Sequence, residues 1–248
     1  MHHAHSHEFL YLMGTPEMTR ILHIDASARP HSSAENPFGS HSRRLGARFA
    51  LAWRATHGSD ENIVYRDVGQ QPPQPVSGAW IHAAFTKPEQ RLPWMSETLA
   101  ESDVLIDELL AADIIVAGVP MYNFAPPAQF KAWIDNIVRV GRTFGFDRSR
   151  PGDPYWPLLA GAGKTLVILS SRGDHGYGKG GRIEALNHVE ASIATAFNYI
   201  GITDIRSVAI EFDEFADARL KASIEKAEAE VDALVETLVR ERQQRNAA

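Results

Sequence analysis

Three stretches of this 248-residue chain carry side chains suited to holding an anion and a flat ring. In the first, Ser27 ends an apolar run, and Ser40 and Ser42 stand at the start of a helical pattern with Arg43 and Arg44 beside them. Hydroxyls and unpaired N–H groups at a helix start bind anions such as phosphate. The plain alternative is a solvated serine-rich loop with an ordinary helix cap at Ser42. In the second, Met121, Tyr122 and Phe124 offer soft or flat apolar contacts to a planar ring. Asn123 and the neighbouring backbone N–H groups offer donors to the ring edge. Alone, this stretch also reads as a hydrophobic turn into the next helix. The third, Ser171-Arg172-Gly173-Asp174, is a polar turn whose glycine permits close backbone approach.

Acid–base, nucleophilic and metal chemistry find less support. Asp25, Asp174 and His175 fall near the same edge, but no Ser-His-Asp order is defensible. His23 reads as a satisfied core histidine. There is no HExxH and no spaced His/carboxylate set. A phosphoacceptor receiver needs an aspartate at the end of the third strand, where Pro120-Met121 stands. Gly161-Ala-Gly-Lys-Thr165 precedes a strand instead of following one and lacks the first glycine of a Walker loop. Gly176, Gly178 and Gly181 match a dinucleotide fingerprint in spacing but lie too far past the fourth strand. They read as a mobile loop beside the site.

The elements that must position these stretches alternate between strand and helix. Strands are expected at residues 20–27, 62–67, 112–119, 164–170 and 204–210, with Pro120 ending the third. Helices are expected from Ser42, up to about Leu110, from Pro126-Pro127, up to about Ile200, and from Leu220 onward, with 240–248 frayed. Residues 69–94 read as a long excursion and 144–163 as irregular and aromatic. Five alternations predict a doubly wound parallel sheet. Such sheets bind ligands outside the carboxyl ends of the strands, so the segments after strands one, three and four matter most.

Composition narrows the class. The net charge is −6 and argues against a nucleic-acid module. Cysteine is absent, which removes disulfides, thiol nucleophiles and thiolate-held clusters and fits a cytoplasmic setting. No apolar run reaches the roughly 18–20 residues of a membrane span. His2, His3, His5 and His7 mark residues 1–19 as a disordered or tag-like extension, with a metal-binding tail as the alternative. Residues 20–244 are expected to form a single domain.

Taken together, Pro120-Met-Tyr-Asn-Phe124, Gln129-Phe-Lys-Ala-Trp-Ile-Asp135, Gly141-Arg-Thr-Phe144, Ser170-Ser-Arg-Gly173 and Tyr199-Ile-Gly-Ile-Thr-Asp204 resemble the FMN-dependent NADH-azoreductase and NAD(P)H quinone reductase family of flavodoxin-like proteins. The resemblance covers most of residues 20–240. It implies a three-layer α/β sandwich whose five-stranded parallel sheet has the order 2-1-3-4-5. It also implies noncovalent FMN and a homodimer with flavin sites at the interface. It assigns the flavin phosphate to Ser27, Ser40 and Ser42, with His41 where relatives often carry glutamine. The ring falls to Met121, Tyr122, Asn123 and Phe124, and to Ser171, Arg172, Gly173 and Asp174. Asp174 departs from a common glycine and is expected to bring negative charge towards the ring.

The implied activity is two-electron, ping-pong reduction of quinones and azo compounds by NADH or NADPH, with no dedicated catalytic base, no metal, no nucleic acid and no membrane partner. Phe144, Phe146, Tyr155 and Trp156 are candidates for the substrate-pocket wall, lid packing and dimer contact being the alternatives. A flavodoxin-type electron carrier is the competing reading, although the stretch from Ser27 to Ser42 is long for its phosphate loop. A nucleotide-binding regulatory module using the Gly176–Gly181 loop is the third.

Overall fold

The computed structural model describes residues 18–31, 39–57 and 62–246. The expectations for residues 1–17 lie outside them. The apolar runs form β1 (Ile21–Asp25), β3 (Ile114–Pro120), β6 (Thr165–Ser171) and β7 (Asp204–Ile210), and β2 (Ile63–Asp67) lines one edge. All five strands are parallel in the order β2-β1-β3-β6-β7, which is 2-1-3-4-5 when the sheet's own strands are counted. Every residue of β1, β3 and β6 is buried, as both-face coverage requires.

Alternation along each strand splits the core in two. Leu22, Ile24, Ile115, Ala117, Leu166 and Ile168 face α3 (Pro93–Ala111), α4 (Ala128–Ile137) and α5 (His188–Ile200). There, Trp133 stacks between Phe130 and Phe197, with ring centroids 5.4 and 6.1 Å away. Ile21, Ile114, Val116, Val167 and Leu169 face α1 (His41–His57) and α6 (Ala218–Asn246). The layers are therefore helix, sheet, helix.

Several local expectations are corrected. Helix α1 starts two residues early: Ser40, not Ser42, is its N-cap, with Oγ accepting from the Arg43 N–H at 3.3 Å. Pro120 is the last paired residue of β3, opposite Ser171. The excursion contains α2 (Gly78–Phe85), capped by Ser77, whose Trp80, Ala83 and Ala84 pack on Met95 and Leu99 of α3. The irregular stretch holds an antiparallel pair, β4 (Phe144–Phe146) and β5 (Tyr155–Pro157). The tail of α6 is tied down, because Arg242 donates to the Asp113 carbonyl at 2.8 Å and Arg245 to that of Gly163 at 2.7 Å. Among the described residues, no helix is long and apolar enough to cross a membrane.

Candidate functional site

The carboxyl ends of β1, β3, β6 and β7 open onto a cleft of about 310 Å³. Ser27, Ser40, His41, Met121, Tyr122, Asn123, Ser171, Arg172 and Gly173 line it, so the sheet unites the three predicted stretches. Ser42 lies just behind, fully buried, its Oγ 3.0 Å from that of Ser40. His41 and Ser42 are the first two residues of α1, and their N–H groups have no acceptor among the described residues. Paired hydroxyls and two open N–H groups at the positive end of a 17-residue helix form an anion cradle.

The cradle is fixed from behind by Arg43, which is 2% exposed. Its guanidinium donates to the carbonyls of Ser27 at 2.7 Å and Arg29 at 2.8 Å, which pins the loop after β1. The same group donates to Asp67 and approaches Asp25 and the Tyr65 hydroxyl. Burial, then the charge and hydrogen bond of Asp25, push the Tyr65 phenol well above its ordinary pKa. Asp25 is fully buried in this cluster and does not reach the cleft. His23 is buried too, with Nε2 3.5 Å from Asp25 Oδ1 but not hydrogen-bonded, so it is not the satisfied histidine expected.

Across the cleft, Tyr122 and Ala125 exchange backbone hydrogen bonds at 2.9 and 3.1 Å around Asn123 and Phe124. Both central residues have positive φ, +48° and +72°, which is the pattern of a type I′ turn. Asparagine tolerates that region, but phenylalanine is strained there. The turn leaves the N–H groups of Asn123 and Phe124 without acceptors among the described residues and leaves Phe124 exposed. The Tyr122 hydroxyl accepts from the Ala28 N–H at 3.2 Å, joining this turn to the cradle loop.

The third stretch is held by its neighbours. The Arg172 side chain turns away from the cleft's mouth into Glu190, Ser170 and Glu211. Glu211 also accepts from the N–H groups of Gly176 and Tyr177 at 3.1 and 3.2 Å, and Tyr177 is buried. The glycine-rich loop is thus tied at Gly176 and Tyr177 to the residue after β7. Its fingerprint spacing serves a local turn, in which the Gly181 N–H donates to the Gly178 carbonyl at 2.8 Å.

Asp174 is a further correction. Its carboxylate caps the His175 N–H and pairs with Arg182, and it does not line the cleft. The hydrogen bond from Arg182 holds its pKa below the usual carboxylate range. The negative charge in the cleft comes instead from Asp213 and Glu214, which follow β7 and which sequence reasoning passed over together with Arg29. A usable signal existed, since the fifth strand opens at the same edge as the others.

Phe144, Phe146, Tyr155 and Trp156 do not meet this cleft. Phe146 stacks on Tyr155 at 4.7 Å, Phe144 packs on Tyr199 near the end of α5 at 5.1 Å, and Trp156 lies against Gly145 with Arg150 over it. A segment between α4 and β6 sits at the amino edge of a parallel sheet, opposite the cleft.

The family described as a flavodoxin-like fold matches residues 19–235. An FMN-dependent NADH:quinone oxidoreductase 2 of Idiomarina loihiensis is 41% identical over 221 residues, 89% of this chain and 91% of that one. The chain belongs to this family of flavodoxin-like quinone reductases. An FMN-dependent NAD(P)H:quinone oxidoreductase 1 of Pseudomonas aeruginosa is 41% identical over 218 residues, 88% of this chain and 98% of that one. The solved structure of an azoreductase from Bacillus anthracis superposes with a TM-score of 0.74 at 22% identity, covering 88% of this chain and 99% of that one, and shows the shared fold.

The residues present fit FMN. The cradle supplies neutral hydroxyl and N–H donors suited to a phosphate, and Asn123 and Gly173, whose N–H groups are open, line the same cleft, whereas Phe124 does not. A Cβ at Gly173 would meet the Glu214 side chain, which would have to swing aside.

Proposed function

We propose that this chain is an FMN-dependent oxidoreductase that takes reducing equivalents from NADH or NADPH and passes two electrons to quinones and azo compounds. The observation that carries it is the facing of two donor sets across one cleft: the cradle at the start of α1, and the open N–H groups of Asn123 and Gly173. FMN, when bound, supplies the hydride and electron chemistry, so the protein needs no base of its own. Ser40, Ser42 and the first N–H groups of α1 hold the phosphate. Asn123 and Gly173 take the ring edge through the backbone, and Met121, Tyr122 and Phe124 cover apolar ring surface. The cleft remains open on one side, where a flat donor and a flat acceptor can lie in turn. Dependence on reduced nicotinamide accords with a cytoplasmic location.

The aromatic hairpin supports a homodimer. Lying at the amino edge of its own sheet, it can wall a cleft when that cleft belongs to a second copy. The exposed Tyr155, Leu158 and Tyr199 beside it give an apolar face to bury. Light scattering on the eluting protein is expected to give twice the chain mass; a monomer overturns this part.

The function is tested by reconstituting the protein with FMN. The yellow protein is expected to bleach anaerobically with NADH or NADPH and to recover its colour when a quinone is added. A flavin that stays oxidised with either nicotinamide refutes the reductase reading and leaves the electron-carrier alternative.

A further inference from the structure

We propose that Asp213 is the positioning partner of His41 and, through it, sets how strongly the cleft prefers the phosphate of FMN over uncharged riboflavin. This rests on the FMN reading above. Asp213 belongs to the turn after β7, yet its carboxylate reaches across the cleft to the first turn of α1. Oδ1 lies 3.2 Å from His41 Nε2, and Oδ2 lies 3.7 Å from Nη1 of Arg29.

The backbone enforces this reach. Phe212 and Ala216, on either side, have φ of +70° and +50°. A phenylalanine held there costs on the order of 1–3 kcal/mol. Opposing this, the Asp213 and Glu214 N–H groups donate to the carbonyls of Arg172 and Gly173 at 3.2 and 3.1 Å. The Phe212 ring stacks on His175 at 4.5 Å, and Arg219 lies over Phe212 and Phe215. The strained turn thus places a carboxylate against the one cradle residue whose donor capacity depends on its charge.

A neutral imidazole donates through one nitrogen; donation through both requires the imidazolium. His41 Nε2 lies 3.2 Å from Asp213 Oδ1, and no hydrogen bond of its other ring nitrogen is found among the described residues. A ring set between the Asp213 carboxylate and a bound phosphate faces an acceptor on each side. The hydrogen bond from His41 holds the Asp213 carboxyl below the usual range against the opposing effect of burial, and the nearby Arg29 adds to it. Glu214 is the other acid lining this cleft. A glutamine at position 41 donates from its amide without needing a charge, and would free the site from Asp213.

The test measures FMN and riboflavin dissociation by flavin fluorescence in the parent, D213N, H41Q and the double variant, with the ³¹P spectrum of bound FMN as a second readout. D213N is expected to weaken FMN about tenfold, the worth of one charge-assisted hydrogen bond, leave riboflavin nearly unchanged and shift the phosphorus signal. In the H41Q background, the same substitution is expected to have little effect. An unchanged FMN-to-riboflavin ratio in D213N, tighter FMN binding, or an effect that persists undiminished beside H41Q overturns the proposal. If D213N does not fold, H41A carries the test: loss of FMN selectivity supports the link, and retention overturns it. A parent that binds FMN no better than riboflavin refutes the phosphate site itself, which is a separate failure.

Discussion

The two terminal nitrogens of Arg43 donate to the two carboxylate oxygens of Asp67, each at 2.7 Å. This fork joins the first turn of α1 to the end of β2. Further donation to the Ser27 and Arg29 carbonyls extends it to the loop after β1. A cradle assembled from three separate segments is thereby locked by one planar cation.

Lysine cannot reproduce that fork. R43K is expected to destabilise the cofactor-free protein by about 3 kcal/mol, because an ammonium keeps the charge but cannot serve Asp67 and the Ser27 and Arg29 carbonyls at once. D67N should cost a similar amount, and the double variant less than the sum. Urea unfolding measures all three, and strict additivity would show that the pair does not act as a unit.

Acid should weaken the same tie. Burial alone would raise the Asp67 pKa, but hydrogen bonds from Arg43 and the Gln70 N–H, with the guanidinium charge, bring it below the ordinary value. A carboxylate lowered on folding contributes stability that is complete above its unfolded pKa of about 3.9 and is lost as pH falls through the folded one. Between about pH 5 and pH 3 the parent should therefore lose more unfolding free energy than D67N. Equal losses would remove Asp67 from the account.

Phe124 trades backbone strain for display of its ring. F124G should relieve a φ of +72° while weakening FMN and riboflavin alike. Its apoprotein should match the parent or gain up to about 1 kcal/mol. F124A keeps the strain and should weaken flavin without that gain. Thermal unfolding of both apoproteins separates the two effects, and a clearly less stable F124G would show that the ring, not the turn, holds this segment.

Ser40 and Ser42 differ in what their loss should do. S40A removes the cap of α1 and should cost about 1 kcal/mol of apoprotein stability. S42A should weaken FMN more than riboflavin, because its hydroxyl joins the phosphate donors. Titration with both flavins decides the matter; an equal loss for the two would take Ser42 out of the cradle.

The sheet was legible because its strands announce themselves. Ile114–Pro120 and Thr165–Ser171 are buried throughout, and such runs have few other uses in a chain of this composition. The three loops followed from the rule that ligands sit at the carboxyl edge. What escaped depends on distant partners. Asp213 is an ordinary polar residue in sequence; its reach comes from positive φ at Phe212 and Ala216 and from carbonyls at Arg172 and Gly173. Asp174 looked directed at the ring, but Arg182, eight residues on, holds it elsewhere. The three-residue strands β4 and β5 carry too little periodicity to be read, and the end of α6 is secured by carbonyls over eighty residues away.

The position of β7 at the sheet's edge has a consequence for biosynthesis. That strand pairs with β6, and the turn after it ties down Arg172 and Gly173. A ribosome releases this edge after every other wall of the cleft. Nascent molecules therefore present an unfinished pocket, and flavin capture becomes a finishing step of translation.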